Sequence, residues 1–136
     1  MLERHSGHIV LMSSLDGRKG LPLDAPYVAA KFALTGYGDV LRQELHGSGV
    51  HVTTVHPGRV DTPMVAHLRF HWMSPKMPAE LVASATLRAI RRGDPEVIVP
   101  LQGYVLLLVN LFSPRFADWW VRVLHLEGWE QPPRDA

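Results

Sequence analysis

A strand–helix–strand pattern near the start of the chain constrains its fold more than any other feature. Residues 8–12 (HIVLM) form a short apolar run typical of a buried parallel strand, and residues 50–55 form a second, β-branched run. Between them, apolar residues recur at helical spacing from Tyr27 to His46. Two strands joined by a helix of about twenty residues form a βαβ unit with parallel strands and a right-handed crossover. The sequence therefore predicts an α/β fold.

The remainder of the chain adds one strand and further helices to this unit. Residues 78–92 show the period of a helix that Gly93 ends, and residues 96–99 form a third strand. The apolar and aromatic tail, 104–126, predicts one or two helices broken near Ser113-Pro114. Between 62 and 78, several prolines limit the length of any helix. We expect about three strands with flanking helices.

Three side chains between residues 14 and 31 indicate carbonyl chemistry. Tyr27 and Lys31 stand four positions apart on the predicted helix, so they share one face. The phenol has a reference pKa of about 10, and we expect the neighbouring ammonium to lower the pKa of Tyr27. Ser14, at the end of the first strand, offers a hydroxyl donor to an oxygen that gains negative charge as hydride reaches its carbon.

The topology places Ser14 beside a second motif. Ser14 follows the first strand, and Pro57-Gly58 follows the second. Ligands of parallel sheets bind beyond the carboxyl ends of the strands. Both features therefore contribute to one predicted site.

Four sequence blocks carry a resemblance to a known family. In order they read GHIVLMSS (7–14), YVAAK (27–31), LRQEL (41–45) and VTTVHPGRVDTPM (52–64). YxxxK alone is weakly specific, but the combination resembles the short-chain dehydrogenase/reductase family over roughly residues 5–100. The match is to the C-terminal half, which implies the C-terminal part of a Rossmann-like doubly wound parallel sheet.

The resemblance implies roles for seven residues. Tyr27 would be the general acid/base, Lys31 would hold the nicotinamide ribose hydroxyls and tune the phenol, and Ser14 would orient the substrate oxygen. The residues implied to line the nicotinamide and its carboxamide are Pro57, Gly58, Val60 and Thr62.

The resemblance also implies an activity. It indicates an NAD(P)-dependent oxidoreductase that transfers hydride between nicotinamide and a carbonyl or secondary alcohol, with NAD or NADP as coenzyme and NADP slightly favoured. We expect one partial domain over 1–136, with the catalytic and nicotinamide side in 1–100 and substrate-pocket or oligomerisation helices in 101–136. The apolar tail suggests a hydrophobic small-molecule substrate. We also expect a homo-oligomer in the full-length form and a cytoplasmic location.

One family feature, the TGxxxGxG turn that binds pyrophosphate, is not found in this sequence. Its only lookalike, Thr35-Gly36-Tyr37-Gly38, falls inside the predicted helix and is interpreted as a decoy. We therefore expect that the chain represents the second half of such a protein. The alternative function is a truncated, non-catalytic fragment or a partner-dependent interaction module.

Composition and motif spacing argue against several other classes. The net charge of +1 and the lack of a dense basic face give no case for nucleic-acid binding. The absence of cysteine excludes disulfides and fits a reducing compartment, and no secretory signal is visible after Met1. For the tail, we favour pocket closure or dimerisation over association with a membrane surface, and it is too short to span a bilayer.

Two further catalytic classes are weighed and not favoured. His67 and His71 have the i,i+4 spacing of zinc ligands but lack an HExxH motif and an evident third ligand, so no metal is predicted. A hydrolase triad could be drawn from Ser14, His56 and Asp61, yet the G-x-S-x-G elbow is missing.

Overall fold

A three-stranded parallel sheet forms the centre of the protein. The computed structural model describes residues 1–66, 68–69, 74–126 and 129–130. In chain order the elements are β1 (Gly7–Met12), α1 (Ala25–Glu44), β2 (Val50–Pro57), β3 (Leu68–Arg69), α2 (Ala79–Arg92), β4 (Glu96–Val99), α3 (Gly103–Phe112), α4 (Pro114–Val123) and β5 (Trp129–Glu130). The sheet order is β1-β2-β4, so the predicted α/β class and its three parallel strands are confirmed.

Strand β2 is the middle strand and the most buried element. It pairs along its length with β1, from Gly7 opposite Val50 to Met12 opposite Val55, and its second half pairs with β4. Val55 is fully buried. Both ladders are parallel, so the last residues of all three strands point to the same edge of the sheet. That edge carries the functional groups described below.

Helix α1 packs on one face of the sheet through small and polar residues. Its buried positions are Thr35 and Gly38, and a Cβ added at Gly38 would lie 2.4 Å from Thr54 Oγ1. The helical period alone predicts an apolar contact stripe that includes Ala30 and Tyr37, and this is wrong because both residues are exposed. The close approach of helix and strand requires small side chains instead.

Helix α2 packs on the opposite face and builds the apolar core. Val55 points away from the face of Thr54 and clusters with Val82 and Ala85 of α2. The helical period predicts that Leu81, Val82, Ala85 and Ala89 face inward. The last three are buried, whereas Leu81 is exposed. Gly93 ends α2 in a left-handed conformation with φ of 71°, as predicted from its position.

The tail forms two helices that meet at Ser113. This residue ends α3 and caps α4, where its side chain accepts a hydrogen bond from the Phe116 amide. The predicted break at Ser113-Pro114 is therefore confirmed. Among the residues that the structure describes, no helix is long and apolar enough to cross a membrane.

A second, two-stranded antiparallel sheet pairs β3 with β5. The sequence did not predict it, because two-residue strands show no measurable alternation.

Candidate active site

All seven residues that the sequence singled out line one cleft at the carboxyl edge of the sheet. The cleft has a volume of about 760 Å³. Its walls include Ser14, Tyr27, Lys31, Pro57, Gly58, Val60 and Thr62. They converge because β1 and β2 end side by side and α1 begins above them. The geometry brings together the whole predicted set.

Ser14 lies at the base of the cleft with its hydroxyl near three polar atoms. Its Oγ accepts a hydrogen bond from the Asp16 amide at 3.1 Å. The same Oγ is 3.3 Å from Asp16 Oδ2 and 3.5 Å from the carbonyl oxygen of Pro57, both of which can accept its proton only weakly at these distances. The long contacts leave the hydroxyl proton available to a better acceptor.

The neighbouring Ser13 uses its hydroxyl differently. Ser13 Oγ donates to the carbonyl oxygen of Lys31 at 3.0 Å and lies 3.0 Å from Thr35 Oγ1. Ser13 thus holds β1 against α1, whereas Ser14 is the serine whose hydroxyl proton is weakly engaged.

Tyr27 and Lys31 lie one helical turn apart, with the lysine ammonium over the phenol ring. Lys31 Nζ is 5.3 Å from the ring centroid and donates to the carbonyl oxygen of Met12 at 2.9 Å. This cation–π arrangement holds the two side chains in a common orientation.

The pKa of Tyr27 is raised, so the expected lowering by Lys31 is wrong for this structure. Partial burial is the largest cause, and the negative charges of Asp16 and Asp24 also raise the pKa. The neighbouring Ser14 hydroxyl lowers the pKa but does not compensate. Tyr27 is therefore a protonated phenol at neutral pH, suited to donating a proton.

Asp16 is a cleft residue that the sequence argument missed. Its carboxyl lines the cleft beside Ser14, and burial raises its pKa while the Ser14 hydrogen bond and the charge of Arg59 oppose the rise. The signal in the sequence that could have identified it is an acidic residue two positions after Ser14. It places a titratable group within reach of both the hydroxyl and the phenol.

The stretch after β2 forms the opposite wall. The Gly58 amide donates to the carbonyl oxygen of Val99 at 2.6 Å. A Cβ at Gly58 would lie 3.1 Å from Pro100 and 3.3 Å from Met77, so the tight packing favours glycine here. Thr62 Oγ1 makes only a long contact of 3.5 Å with the carbonyl oxygen of Val60.

The tail closes the cleft with apolar side chains. Its contribution comes from Val105, Leu106, Trp120, Leu124 and Leu126. An ion pair between Lys19 and Asp118 ties α4 to the loop after β1. The far end of the cleft is consequently apolar.

His56 does not act on the Ser14 hydroxyl, which contradicts the hydrolase alternative. Its Nδ1 lies 3.0 Å from the backbone carbonyl oxygen of Ser14, and its Nε2 lies 2.7 Å from Glu96 Oε1. Asp61 is exposed and lies 4.0 Å from Lys76. The three residues do not form a nucleophilic triad.

The proposed zinc spacing cannot be placed, since His67 and His71 lie outside the described residues. Within the described part of the chain, no group of three or more histidine and acidic residues could hold a metal ion.

Comparison of the sequence with known families gives a match. The sequence profile of the family described as short chain dehydrogenase matches residues 1–71. The ketoacyl reductase HetN of Nostoc sp. is 40% identical over 104 residues, covering 73% of this chain and 36% of the relative. An uncharacterised oxidoreductase, YxnA of Bacillus subtilis, is 32% identical over 121 residues, covering 82% of this chain and 34% of the relative. The chain thus spans about a third of the length of these curated relatives.

Solved structures show the same fold. A short-chain dehydrogenase from Burkholderia cenocepacia in complex with NADP has a TM-score of 0.74 and 25% identity, covering 90% of this chain and 49% of that one. A variant of the actinorhodin polyketide ketoreductase with NADPH has a TM-score of 0.64 and 27% identity, covering 73% of this chain and 48% of that one. The Rossmann-like architecture of this half-sheet is therefore shown.

Proposed function

This chain belongs to the short-chain dehydrogenase family, and we propose that its cleft serves a reversible hydride transfer between a nicotinamide dinucleotide and a carbonyl compound or secondary alcohol. The observation that carries the proposal is the meeting of Ser14, Tyr27 and Lys31 with the Pro57–Thr62 stretch in one cleft. Their arrangement combines a proton donor, a hydroxyl donor and a cation around the same space.

The residues fit the nicotinamide end of such a coenzyme. The cleft volume of about 760 Å³ lies in the usual range for small-molecule sites. Pro57, Gly58 and Val60 would face the ring, and the Thr62 hydroxyl would hold its carboxamide. Among the described residues, Lys31 donates only to Met12, so two of its three N–H donors remain for ribose hydroxyls. When bound, the dinucleotide supplies or accepts the hydride.

Tyr27 and Ser14 would both donate to the oxygen of the reacting carbonyl. In the direction of reduction the carbon gains a hydride and the oxygen gains a proton, and the Tyr27 phenol donates that proton. At neutral pH the phenol is protonated, as reduction requires, and partial burial raises its pKa further above the ordinary value. Ser14 donates a hydrogen bond to the same oxygen as its negative charge develops.

The proposed coenzyme is NADP(H). Support comes from the two similar structures, whose descriptions give NADP and NADPH. The proposed substrate is a hydrophobic ketone or its alcohol, because the tail residues that close the cleft are apolar.

Coenzyme binding to this chain is the test of the proposal. The purified chain is titrated with NADPH and NADH while energy transfer from tryptophan to nicotinamide is followed, since Trp120 lines the cleft. Saturable transfer, tighter for NADPH, is the expected result. A folded chain that shows no saturable transfer with either nucleotide would contradict the proposal for this chain.

A matched pair of threonine variants makes the titration specific to the cleft. Thr62→Val should weaken binding about fivefold, as expected for the loss of one hydrogen bond worth about 1 kcal/mol. Thr86→Val removes a hydroxyl that bonds within α2 to the Val82 carbonyl oxygen and should not change the dissociation constant.

A further inference from the structure

His56 is a fully buried ionisable side chain with a contact at each ring nitrogen. It follows Val55 on β2 and has 0% exposure. Nδ1 lies 3.0 Å from the carbonyl oxygen of Ser14 at the end of β1, and Nε2 lies 2.7 Å from Glu96 Oε1 at the start of β4. One imidazole therefore links all three strands of the sheet.

The chemistry of the two contacts fixes the number of protons on the ring. A carbonyl oxygen can only accept, so Nδ1 must carry a proton to bond Ser14. A neutral imidazole has one N–H, which would leave the Nε2 lone pair facing a carboxylate oxygen. That contact would be repulsive unless either Nε2 or Glu96 carries a proton.

The surroundings of Glu96 favour its ionised form. Its pKa is lowered, first by the contact with His56 and then, against the effect of burial, by the charges of Arg18 and Arg42. Arg18 Nη1 lies 3.1 Å from Glu96 Oε1, the oxygen that also faces His56. One proton therefore lies between Nε2 and Oε1, and Nδ1 carries the other.

The contact between Nε2 and Oε1 is close but poorly aligned. Both atoms are buried, and neither meets the angular requirement of a hydrogen bond. The stabilisation is consequently that of an ion pair at short range, which buried charges require.

We propose that His56 is a positioning residue, which holds the Ser14 turn in place through its Nδ1–H while Glu96 fixes the other ring nitrogen. Ser14 begins a 3-10 turn at Leu15–Gly17, so fixing its carbonyl oxygen fixes the orientation of the turn that carries the hydroxyl. The position of the Nδ1 proton is independent of the proposed reaction, whereas the effect on catalysis rests on the proposed function.

The position of the ring protons can be measured directly by NMR of the labelled chain. Long-range correlation of the ring protons and nitrogens of His56 should show a proton on Nδ1. Glu96→Gln should shift the Nε2 signal, while the exposed-site control His46→Gln leaves the His56 signals unchanged. A His56 ring whose single proton lies on Nε2 would overturn the proposal, and this measurement needs no variant to fold.

Two substitutions separate the positioning contact from the ion pair. His56→Asn places an amide donor near the position of Nδ1, and His56→Gln places one near Nε2. The carbonyl carbon shift of Ser14 and the amide shift of Asp16 should stay close to those of the unaltered chain in His56→Asn and move in His56→Gln. Unchanged Ser14 and Asp16 shifts in a folded His56→Gln variant would overturn the positioning role.

The same two variants, His56→Asn and His56→Gln, also have a catalytic readout. His56→Gln should lower kcat roughly ten- to a hundredfold with little change in KM, the effect of a misplaced catalytic group. His56→Asn should recover most of that loss. Equal losses in both variants would indicate a merely structural role and overturn the positioning role, while absent turnover in the unaltered protein would count against the proposed function and leave the NMR result to decide.

Discussion

The hydroxyl of Ser13 donates to the carbonyl oxygen of Lys31 at 3.0 Å, across the gap between β1 and α1. Ser14 follows Ser13 in the chain, and Tyr27 precedes Lys31 by one helical turn. This hydrogen bond, together with that from Lys31 Nζ to the Met12 carbonyl oxygen, therefore helps to fix the distance between the two groups that would act on a substrate oxygen. Of the two adjacent serines, Ser13 consequently joins β1 to α1, and Ser14 faces the cleft.

Ser13→Ala and Ser14→Ala should therefore differ in their effect on turnover. Ser13→Ala is expected to lower the free energy of unfolding by about 1 kcal/mol, the usual net value of a hydrogen bond. Ser14→Ala loses the hydrogen bond from the Asp16 amide and should lower the free energy of unfolding by a similar amount, but it should also lower kcat by about 10²–10³, the cost of losing one donor to a developing oxyanion. Urea unfolding and turnover of the purified protein would measure the two effects. A larger loss of kcat in Ser13→Ala would reverse the assignment.

Tyr27→Phe should abolish turnover while coenzyme affinity stays within about twofold, because the phenol moves a proton and contributes little to binding. The control is Tyr37→Phe on the same helix, which alters an exposed hydroxyl. Both are measured by steady-state kinetics of the purified protein and by the fluorescence titration. Undiminished turnover in Tyr27→Phe would remove this residue from the mechanism.

Asp16→Asn should stabilise the folded chain at neutral pH. The pKa of Asp16 is raised above its ordinary value of 3.8 by burial, so the folded state favours the protonated carboxyl. Its contribution to stability is fully present below pH 3.8 and is lost as pH rises through the folded pKa. The gain from Asp16→Asn should consequently appear near neutral pH and vanish in acid.

Thermal unfolding between acid and neutral pH measures the gain in stability from Asp16→Asn. Glu44→Gln, which removes the charge of an exposed carboxyl on α1, is the matched control.

Asp16→Asn should also lower the pKa of Tyr27, because the charge of Asp16 is one of the causes of its rise. Phenolate absorbance, corrected with Tyr27→Phe, reports that change. A Tyr27 titration that does not move would show that the two groups are not coupled.

Two glycines in α1 should respond to alanine in opposite ways. Gly36→Ala meets no atom within 4 Å and should stabilise the helix by about 1 kcal/mol, the propensity difference between the residues. Gly38→Ala would place a Cβ 2.4 Å from Thr54 Oγ1 and should destabilise the fold by roughly 1–3 kcal/mol, the cost of overpacking. Urea midpoints that move in the same direction for both variants would contradict the observed helix–strand contact.

Leu106→Asn should change the choice of substrate. Leu106 lines the apolar part of the cleft, whereas Leu111 on the same helix is 73% exposed. We expect Leu106→Asn to lower kcat/KM for a long-chain ketone about tenfold or more, since a buried leucine contributes about 1.5–3 kcal/mol, with little effect on a small polar ketone. Leu111→Asn is the control. Equal losses for both ketones would argue against a hydrophobic substrate.

Much of this architecture could be predicted because strand, helix and turn signals were local. The apolar run before Ser13, the helical period after Tyr27 and the glycine at 93 each specify an element without reference to the rest of the chain. The convergence of Ser14 with Pro57 followed from parallel strands having their carboxyl ends at one edge.

The features that were missed depend on contacts distant in sequence. The polar interface of α1 depends on how closely Gly38 approaches Thr54, and helical period alone cannot reveal that distance. The direction in which the Tyr27 pKa shifts depends on burial and on the charge of Asp16, which outweigh the expected effect of Lys31. The link from His56 to Glu96 joins residues forty positions apart.

Strand β2 has a partner strand on both edges and a helix on each face. This enclosure determines which parts of the cleft can change during evolution. From this enclosure we expect the amide groups of β2 to exchange slowly with solvent and those of the partly exposed α3 and α4 to exchange earlier. Pro57 and Gly58 stand at the end of the strand that is expected to exchange slowly, and the apolar wall belongs to the helices that are expected to exchange early. Mutations that remodel the tail could thus alter which molecule is accepted without disturbing the groups that transfer its proton.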